Sequence, residues 1–259
     1  MMLEIDSLSV SFQRYNGLFR QNLMTRLSDV SLNIAAGEIV ALVGHSGAGK
    51  SLLAHAILGL LPNNAITSGE IFFDGKLLDE TTRQKLRGRE IALLPQQTTY
   101  LDPTAEVGRL INWAAKRAGK PTKISERLAE VGLYTDVAKL YPHQLSGGMA
   151  RRVLMAQATA GEAKLLIADE PTAGLDPENC TMILQKLRRH ADNGGTCLII
   201  THDLMTIQPY ADKIAILNEG KLCCFLPATA FQGSGDQITS HYAKDMWRAL
   251  PQNGFNAYA

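Results

Sequence analysis

The sequence has few of the features that mark secreted, membrane-spanning or metal-stabilised proteins. It contains four cysteines among 259 residues, Cys180, Cys197, Cys223 and Cys224, without a CxxC spacing. Cysteines in this arrangement are expected to be core or surface thiols in a reducing compartment rather than metal ligands. No apolar run approaches the roughly 18 residues that a membrane-spanning helix requires. We therefore expect a chain that does not cross a membrane unaided.

The sequence also has no large excess of positive or negative charge. The 26 Lys and Arg residues against 25 Asp and Glu residues leave a net charge of +1, which disfavours nucleic acid as a partner. The first residues, "MMLEIDSLSVSF", have no basic segment followed by an apolar one, so they predict a strand rather than a signal peptide. With 46% hydrophobic residues, the chain can form one large α/β domain or two small ones, and we expect a soluble protein.

Strand-like segments alternate with helical ones along the chain. The strand candidates are "LEIDSLSV", "EIVALVG", "EIFFDG", "IALLPQ", "KLLIADE", "TCLIITHD" and "KIAILNEGKLCCF". Several of them are continuous apolar runs, which are typical of a parallel sheet covered by helices on both faces. The turns Asp74-Gly75 and Glu219-Gly220 indicate an additional antiparallel sheet.

The pattern changes to helical spacing between about residues 81 and 161, where only "IALLPQ" is strand-like. This change predicts a helical subdomain inserted into the core. After about Phe231, glycines and serines predict a linker, a short helix and a loose end.

The segment "GHSGAGKS" fits the phosphate-binding pattern G-x4-G-K-[ST] and lies between a predicted strand and a predicted helix. Its glycines allow backbone N–H groups to turn towards phosphate oxygens, whereas Lys50 supplies a positive charge and Ser51 a hydroxyl ligand for Mg²⁺. The predicted nucleotide-binding residues here are Gly44, His45, Ser46, Gly47, Ala48, Gly49, Lys50 and Ser51.

Polar residues follow three other predicted strands. "LLIADEP" ends in Asp169, which we expect to hold Mg²⁺ through water, and Glu170, which we expect to act as the general base on an attacking water. His202 follows "IIT" and Gln96 follows "IALLP", and ligands bind at such strand ends. The amide of Gln96 is predicted to sense Mg²⁺ and the attacking water, with Gln97 as the alternative.

A second glycine-rich helix start occurs in "HQLSGGMARR". Ser146, Gly147 and Gly148 would present unpaired N–H groups and the positive end of a helix dipole to an anion. This segment could serve the same ATP as "GHSGAGKS" or the ATP of another molecule. Sequence spacing does not choose between the two.

The order "GHSGAGKS", Gln96, "LSGGM", "LLIADEP", "AGLD" and "THD" resembles the ATP-binding cassette (ABC) ATPases across nearly the whole chain. The resemblance implies an α/β fold of the P-loop NTPase class, with a mainly parallel core sheet, an antiparallel β subdomain and an inserted α-helical subdomain. It also implies an ABC domain over residues 1–235, a helical insertion at about 81–161 and a short tail at 236–259.

In that family two subunits pack head to tail, with each ATP between the Walker A of one and the LSGG motif of the other. The resemblance implies that Ser146, Gly147 and Gly148 bind the γ-phosphate of the partner's nucleotide and that Phe12 stacks on adenine, although Tyr15 is near enough to compete. It further implies the roles of Q-loop glutamine for Gln96, catalytic base for Glu170, D-loop aspartate for Asp176 and switch histidine for His202. Ser51, Gln96 and Asp169 would be the Mg²⁺ ligands.

The segments "ALVGHSGAGKSLLAHAILGLLP", "SGEIFFDGK" and "KLYPHQLSGGMARRVLMAQA" look most like importers of peptides, nickel or opines, above all the nickel or metal-chelate import subunit. The implied partners are a second cassette, two membrane permeases and an extracytoplasmic substrate-binding protein, with no nucleic acid, at the cytoplasmic face of the membrane. Three departures are "QTTYLDP", which is one residue short, the D-loop "AGLD", and a tail without the cysteine cluster of many peptide importers.

Two other functions compete with import. A soluble ABC ATPase acting on DNA or the ribosome would carry long coiled coils, zinc-binding cysteines or a second cassette, and these are absent from the sequence. An exporter cassette is disfavoured because exporters commonly fuse the cassette to a membrane domain.

Overall fold

The computed structural model describes residues 1–16, 20–250 and 253, with the side chains of 14–16, 20 and 21 outside the description. The strands are β1 (Leu3–Asn16), β2 (Arg20–Ile34), β3 (Ile39–Val43), β4 (Ala65–Phe73), β5 (Lys76–Leu77), β6 (Ile91–Leu94), β7 (Leu165–Asp169), β8 (Thr196–Thr201), β9 (Lys213–Asn218) and β10 (Lys221–Pro227). The α-helices are α1 (Lys50–Leu58), α2 (Glu80–Leu86), α3 (Val107–Arg117), α4 (Ile124–Ala129), α5 (Gly147–Thr159), α6 (Pro177–Asp192), α7 (Leu204–Ile207) and α8 (His241–Arg248).

A six-stranded sheet forms the centre of the molecule, in the order β10-β9-β3-β8-β7-β6. All neighbouring strands are parallel except β9 and β10. Every residue of β3 and β8 is buried. Alternate β3 residues contribute to two hydrophobic clusters, one on each face of the sheet. This burial on both faces explains the continuous apolar runs, and the predicted α/β class is confirmed.

Different layers cover the two faces of this sheet. The cluster on one face includes residues of α1 and of the four-stranded antiparallel sheet β2-β1-β4-β5. The cluster on the other face includes residues of α3, α5 and α6, and α3 and α4 pack on α5. The segment from α3 to α5 thus forms the helical layer, whereas β6, from the same stretch of sequence, is an edge strand of the core sheet. The predicted nucleotide-binding segment follows β3, which is one of the inner strands of the sheet.

The two predicted turns have different locations. Asp74 and Gly75, with φ of 51° and 71°, connect β4 to β5 in the antiparallel sheet. Glu219 and Gly220, with φ of 46° and 78°, connect β9 to β10 instead. Positive φ at both central residues matches the twist of a tight hairpin. The assignment of the second turn to the additional sheet was wrong, because a hairpin signal does not identify the sheet that it joins.

The segment after β10 packs against the core. Trp247 of α8 is buried, and its ring meets Phe231 edge-to-face at a centroid distance of 6.0 Å. Its Nε1 donates a hydrogen bond of 3.0 Å to the Gly233 carbonyl. The domain limits 1–235 and 236–259 stay predictions. Within the described part of the chain, no helix has both the length and the apolarity needed to traverse a bilayer.

Candidate nucleotide-binding site

The segment after β3 leads into α1 without any side chain that caps the helix. The N-cap residue Gly49 has φ of 105°, no side-chain hydrogen bond caps the helix, and its first turn contains no acidic residue. The first backbone N–H groups of α1 therefore have no intrahelical partner, and the positive end of the helix dipole is not neutralised locally. A phosphate group suits such a helix start.

Two glycines of this segment are required by its geometry. At Gly44, a Cβ atom would lie 2.3 Å from the carbonyl oxygen of Leu217 in β9, so only glycine permits the segment after β3 to lie this close to β9. Gly47 has φ of +85°, and a Cβ there would meet nothing within 4 Å. The backbone at Gly47 thus faces open space, where a ligand can approach it closely.

Lys50 is buried at the start of α1. Its Nζ donates hydrogen bonds of 2.7 Å to the Gly44 carbonyl and 3.0 Å to the His45 carbonyl. Burial lowers the pKa of Lys50, and the carboxylates of Glu170 and Asp169 oppose that effect. The ammonium group is therefore held inside the loop by neutral carbonyls, which a phosphate can replace with a stronger, charge-assisted interaction.

Asp169 ends β7 next to α1. Its Oδ1 atom is buried and has no hydrogen-bond partner among the described residues. Burial and the neighbouring Glu170 raise the pKa of Asp169, whereas the Ser51 hydroxyl, His55 and Lys50 act in the opposite direction. A buried carboxylate oxygen beside a serine hydroxyl is a donor set that suits a hard cation such as Mg²⁺. The residues present therefore fit that metal.

Glu170 follows β7 in a sterically restricted conformation. Its φ is 47°, in the left-handed region that residues with a Cβ rarely adopt, and it is 7% exposed. His202 Nδ1 lies 2.8 Å from Glu170 Oε1, and Thr201 Oγ1 lies 3.4 Å from Oε2. An imidazole N–H at Nδ1 can donate a hydrogen bond to this carboxylate oxygen. Arg151 of α5 donates a hydrogen bond of 3.1 Å to the Glu170 backbone carbonyl. The side chain of Glu170 is therefore held by Thr201 and His202, and its backbone by α5.

These residues line one open cleft of about 870 Å³. Its walls are formed by Phe12, Arg26, His45, Ser46, Gly47, Gly49, Lys50, Ser51, Leu52, Gln96, Asp169, Glu170 and His202. Gln96 lines this cleft, whereas Gln97 lines only a smaller adjoining cavity. Gly44 and Ala48 are not among the residues that line the cleft. The tertiary structure thus brings together the ends of β3, β6, β7 and β8, which are far apart in the sequence.

Phe12 of β1 lines the cleft, where its ring can stack on a base. The competing Tyr15 has its side chain outside the described residues. Sequence reasoning missed Arg26 and Leu52, which also line the cleft, and Arg151, which holds the Glu170 backbone. Arg151 lies in the quoted "LSGGMARR". Arg26 has no motif that could have identified it.

The second glycine-rich helix start does not join this cleft. Ser146 caps α5 by accepting a hydrogen bond of 3.2 Å from Met149 N, and a Cβ at Gly147 or Gly148 would meet nothing within 4 Å. Asp176 caps α6 in the same way by accepting from Asn179 N at 2.9 Å. Within a single chain, these predicted nucleotide-binding residues are separate from the Walker A segment.

Comparisons with known proteins show which proteins the chain is similar to. A family model described as an ABC transporter matches residues 27–173. The chain is 37% identical over 236 residues to the peptidoglycan transport ATP-binding protein YejF of Agrobacterium fabrum and 36% identical over 237 residues to the oligopeptide transport ATP-binding protein OppD of Bacillus subtilis. It is 35% identical over 211 residues to the metal-staphylopine import system ATP-binding protein CntD of Staphylococcus aureus.

These alignments cover 85%, 85% and 76% of the chain, and 42%, 64% and 77% of the respective relatives. The chain therefore spans less than two thirds of the length of the first two. Among solved structures, a dimer of an ATP-binding cassette in a post-hydrolysis state, with bound ADP and Pi, matches with a TM-score of 0.75 at 27% identity. That match covers 88% of this chain and 99% of the other.

Proposed function

The chain belongs to the ABC transporter family, and from that premise we propose that it is the ATP-hydrolysing subunit of an importer. The observation that carries this proposal is the single cleft in which Lys50, Asp169, Glu170 and His202 meet around an uncapped helix start. Binding of ATP and its hydrolysis follow from the family and from this geometry. The importer complex, its partners and its cargo belong to the proposal.

Glu170 is the proposed general base. Its carboxylate is buried, and His202 holds one of its oxygens at 2.8 Å. A base must be oriented towards the water that it activates, and positioned general bases typically contribute about 10²- to 10⁴-fold to a rate. His202 would orient Glu170 in this chain and contact the transferring phosphoryl group when the cleft closes. Lys50 and the first N–H groups of α1 would stabilise the charge on that group.

Ser51, Asp169 and Gln96 are the residues proposed to hold Mg²⁺. The buried, partnerless oxygen of Asp169 supports this assignment. When bound, the metal would neutralise negative charge on the phosphates. Burial and the neighbouring Glu170 raise the pKa of Asp169, so the surrounding residues do not fully compensate the charge of this carboxylate.

The second glycine-rich start would complete the site of another cassette. Ser146, Gly147 and Gly148 are at the surface and lie outside the cleft of their own chain, so they remain available to a nucleotide on a partner. Asp176 would lie at the same interface. We propose a head-to-tail pair of cassettes, either two copies of this chain or this chain with a different one.

A second cavity supports docking to membrane permeases. It has a volume of about 400 Å³ and is lined by residues of β6, the strand that leads to Gln96, and by residues of α3 and α5. Tyr100, a few residues after Gln96, and Trp113 of α3 contribute to its lining and are 61% and 51% exposed. Large exposed aromatic side chains at a groove are typical of a protein interface. Docking there would place the chain at the cytoplasmic face of the membrane.

The proposed cargo class is a nickel or metal chelate, or an oligopeptide, delivered by an extracytoplasmic binding protein. Relatives named for peptidoglycan, oligopeptide and metal-staphylopine transport have nearly equal identities of 37%, 36% and 35%. They support import of small polar solutes as a class.

The test is ATPase turnover of the purified chain, first alone and then with its partner cassette and permeases in lipid. We expect strong stimulation by the permeases and its loss in Lys50→Ala. A cargo screen would then begin with nickel chelates. Equal turnover with and without permeases would contradict the importer assignment and leave only an ATPase.

A further inference from the structure

We propose that Arg26 is an additional nucleotide-binding residue and that its guanidinium contacts the α-phosphate of ATP. This inference rests on the proposed function, because it assigns a new contact within the same cleft. Arg26 and Lys50 are the two Lys or Arg side chains among the described residues lining the cleft. Lys50 is buried inside its loop, whereas Arg26 is exposed at the surface of the cleft.

A β-bulge directs Arg26 towards the cleft. In the β1–β2 pairing, Val10 is opposite Leu27 and Ser11 is opposite Thr25, so Arg26 is an extra residue without a partner on β1. A bulge of this kind bends the strand and changes the direction of a side chain, and bulges are frequent beside functional sites. Without the bulge, strict alternation would make Arg26 one of a regular series of exposed strand residues.

Glycines hold the backbone of Arg26 against the start of α1. A Cβ at Gly49 would lie 3.3 Å from the Arg26 carbonyl oxygen, and a Cβ at Gly220 would lie 2.2 Å from it. Ser28 N also donates 2.8 Å to the Gly220 carbonyl. The bulge is therefore held in a fixed position relative to the Walker A segment.

The neighbours of Arg26 indicate which group of the nucleotide its guanidinium can contact. Phe12, the proposed base-stacking residue, is opposite Met24, two residues along β2 from Arg26, which corresponds to about 7 Å of strand. On its other side, Arg26 adjoins Gly49 at the start of α1. Between the base and the β- and γ-phosphates lie the ribose and the α-phosphate. Arginine pairs with phosphate through several parallel N–H groups, so the α-phosphate is the preferred contact.

This contact has a distinct functional consequence. ATP and ADP both carry an α-phosphate, so Arg26 would strengthen the binding of both to a similar extent. It would not act on the γ-phosphate that is transferred, so turnover at saturating ATP would stay the same. The base would not be selected either, so ATP and GTP would lose affinity in parallel.

The experiment is calorimetric titration of MgATP, MgADP and MgGTP into the full chain and its Arg26→Ala variant. We expect affinity for all three to fall about fivefold, as for one partly exposed charge-assisted contact. The loss should shrink at high salt. Arg26→Lys should recover part of the affinity. Lys85→Ala, which removes one exposed positive charge from α2, is the matched control and should bind like the unmodified chain.

The outcomes separate this inference from the proposed function. If the unmodified chain binds no ATP, both are overturned. If it binds ATP and loses binding in Lys50→Ala, but Arg26→Ala and Lys85→Ala bind equally well, only the role of Arg26 is overturned. A loss confined to ATP, with ADP unchanged, would also overturn it, because the contact would then be with the γ-phosphate.

Discussion

Two helices of this protein begin on glycine-rich segments. A side chain caps the first N–H groups of one of these helices and not those of the other. α1 begins after Gly49, which provides no cap, inside a cleft with Asp169 and Glu170. α5 begins after Ser146, whose side chain accepts a hydrogen bond from Met149 N, on an open surface. The N-terminus of α1 therefore has unpaired N–H groups that face a cleft of its own chain. The N-terminus of α5 is capped by its own side chain and is exposed.

The difference indicates where each phosphate interaction would be completed. Around α1, one chain supplies the ammonium group of Lys50, the carboxylates of Asp169 and Glu170 and the walls of the cleft. Around α5, the same chain supplies only a dipole and backbone N–H groups, which water screens until another surface covers them. α5 also connects the two regions, because Arg151, one turn after Gly147, donates to the Glu170 carbonyl.

The largest expected effect is at Glu170, where Glu170→Gln should reduce turnover by about 10²-fold or more with ATP affinity preserved. The amide retains the shape of the side chain but cannot accept a proton. Steady-state hydrolysis and equilibrium binding of ATP measure the two properties separately. Hydrolysis at a near-normal rate would remove Glu170 from the role of base.

A substitution at Gly147 tests whether α1 binds the nucleotide of its own chain while α5 contacts the nucleotide of a partner cassette. Gly147→Asp places a carboxylate at the start of α5, where a Cβ meets nothing within 4 Å, so the fold should tolerate it. An acid in the first helical turn favours the helix but repels a phosphate. We expect ATP affinity of the isolated chain to be unchanged and turnover of the assembled complex to fall at least about tenfold.

Gly147→Ala is the matched control for that charge, since it adds a Cβ alone and should retain most of the turnover. Reduced ATP binding by isolated Gly147→Asp chains would show that α5 acts on the nucleotide of its own chain. The two helix starts would then serve one site.

A smaller effect concerns the uncompensated charge beside α1. Asp169→Asn replaces a carboxylate whose Oδ1 is buried without a partner and whose pKa is raised by burial and by Glu170. A raised carboxyl pKa means that the folded state disfavours the charged form, so the neutral amide should stabilise the ligand-free protein at neutral pH. We expect a melting temperature higher by about 2–4 °C, as for about 1 kcal/mol in a chain of this size.

The same variant should lose the additional stabilisation that Mg²⁺ gives in the presence of ATP, and differential scanning calorimetry measures both. A lower melting temperature without ligands would mean that the fold already compensates this carboxylate.

A decrease in stability, rather than an increase, is expected for a substitution at the N-terminus of α5. Ser146→Ala removes the hydrogen bond from Met149 N and should lower stability by about 1 kcal/mol, a typical value for the loss of an N-cap. Thermal unfolding in the absence of nucleotide measures it. Ser146→Thr is the control, because it retains a hydroxyl acceptor. An unchanged melting temperature in Ser146→Ala would show that the hydrogen bond from Met149 N to Ser146 does not stabilise α5.

Motifs made much of the site predictable, and local spacing could not supply the rest. "GHSGAGKS" and "LLIADEP" identified residues of the cleft wall because each is a continuous segment with its chemistry at fixed offsets. Arg26 escaped detection because its direction depends on a bulge between β1 and β2, and a bulge exists only once two strands are paired. The turn at Glu219-Gly220 was assigned to the wrong sheet for a related reason.

The sequence by itself determined the local conformations. Glycines at fixed positions, apolar runs and hairpin turns act over a few neighbouring residues, and they predicted the α/β class, the Walker A segment and both glycine-rich helix starts. Tertiary structure alone decided which of these meet. It placed Gln96, Glu170 and His202 beside Lys50 and kept Ser146 on another surface, because packing on both faces of the sheet fixes the order of its strands, and that order is a long-range property.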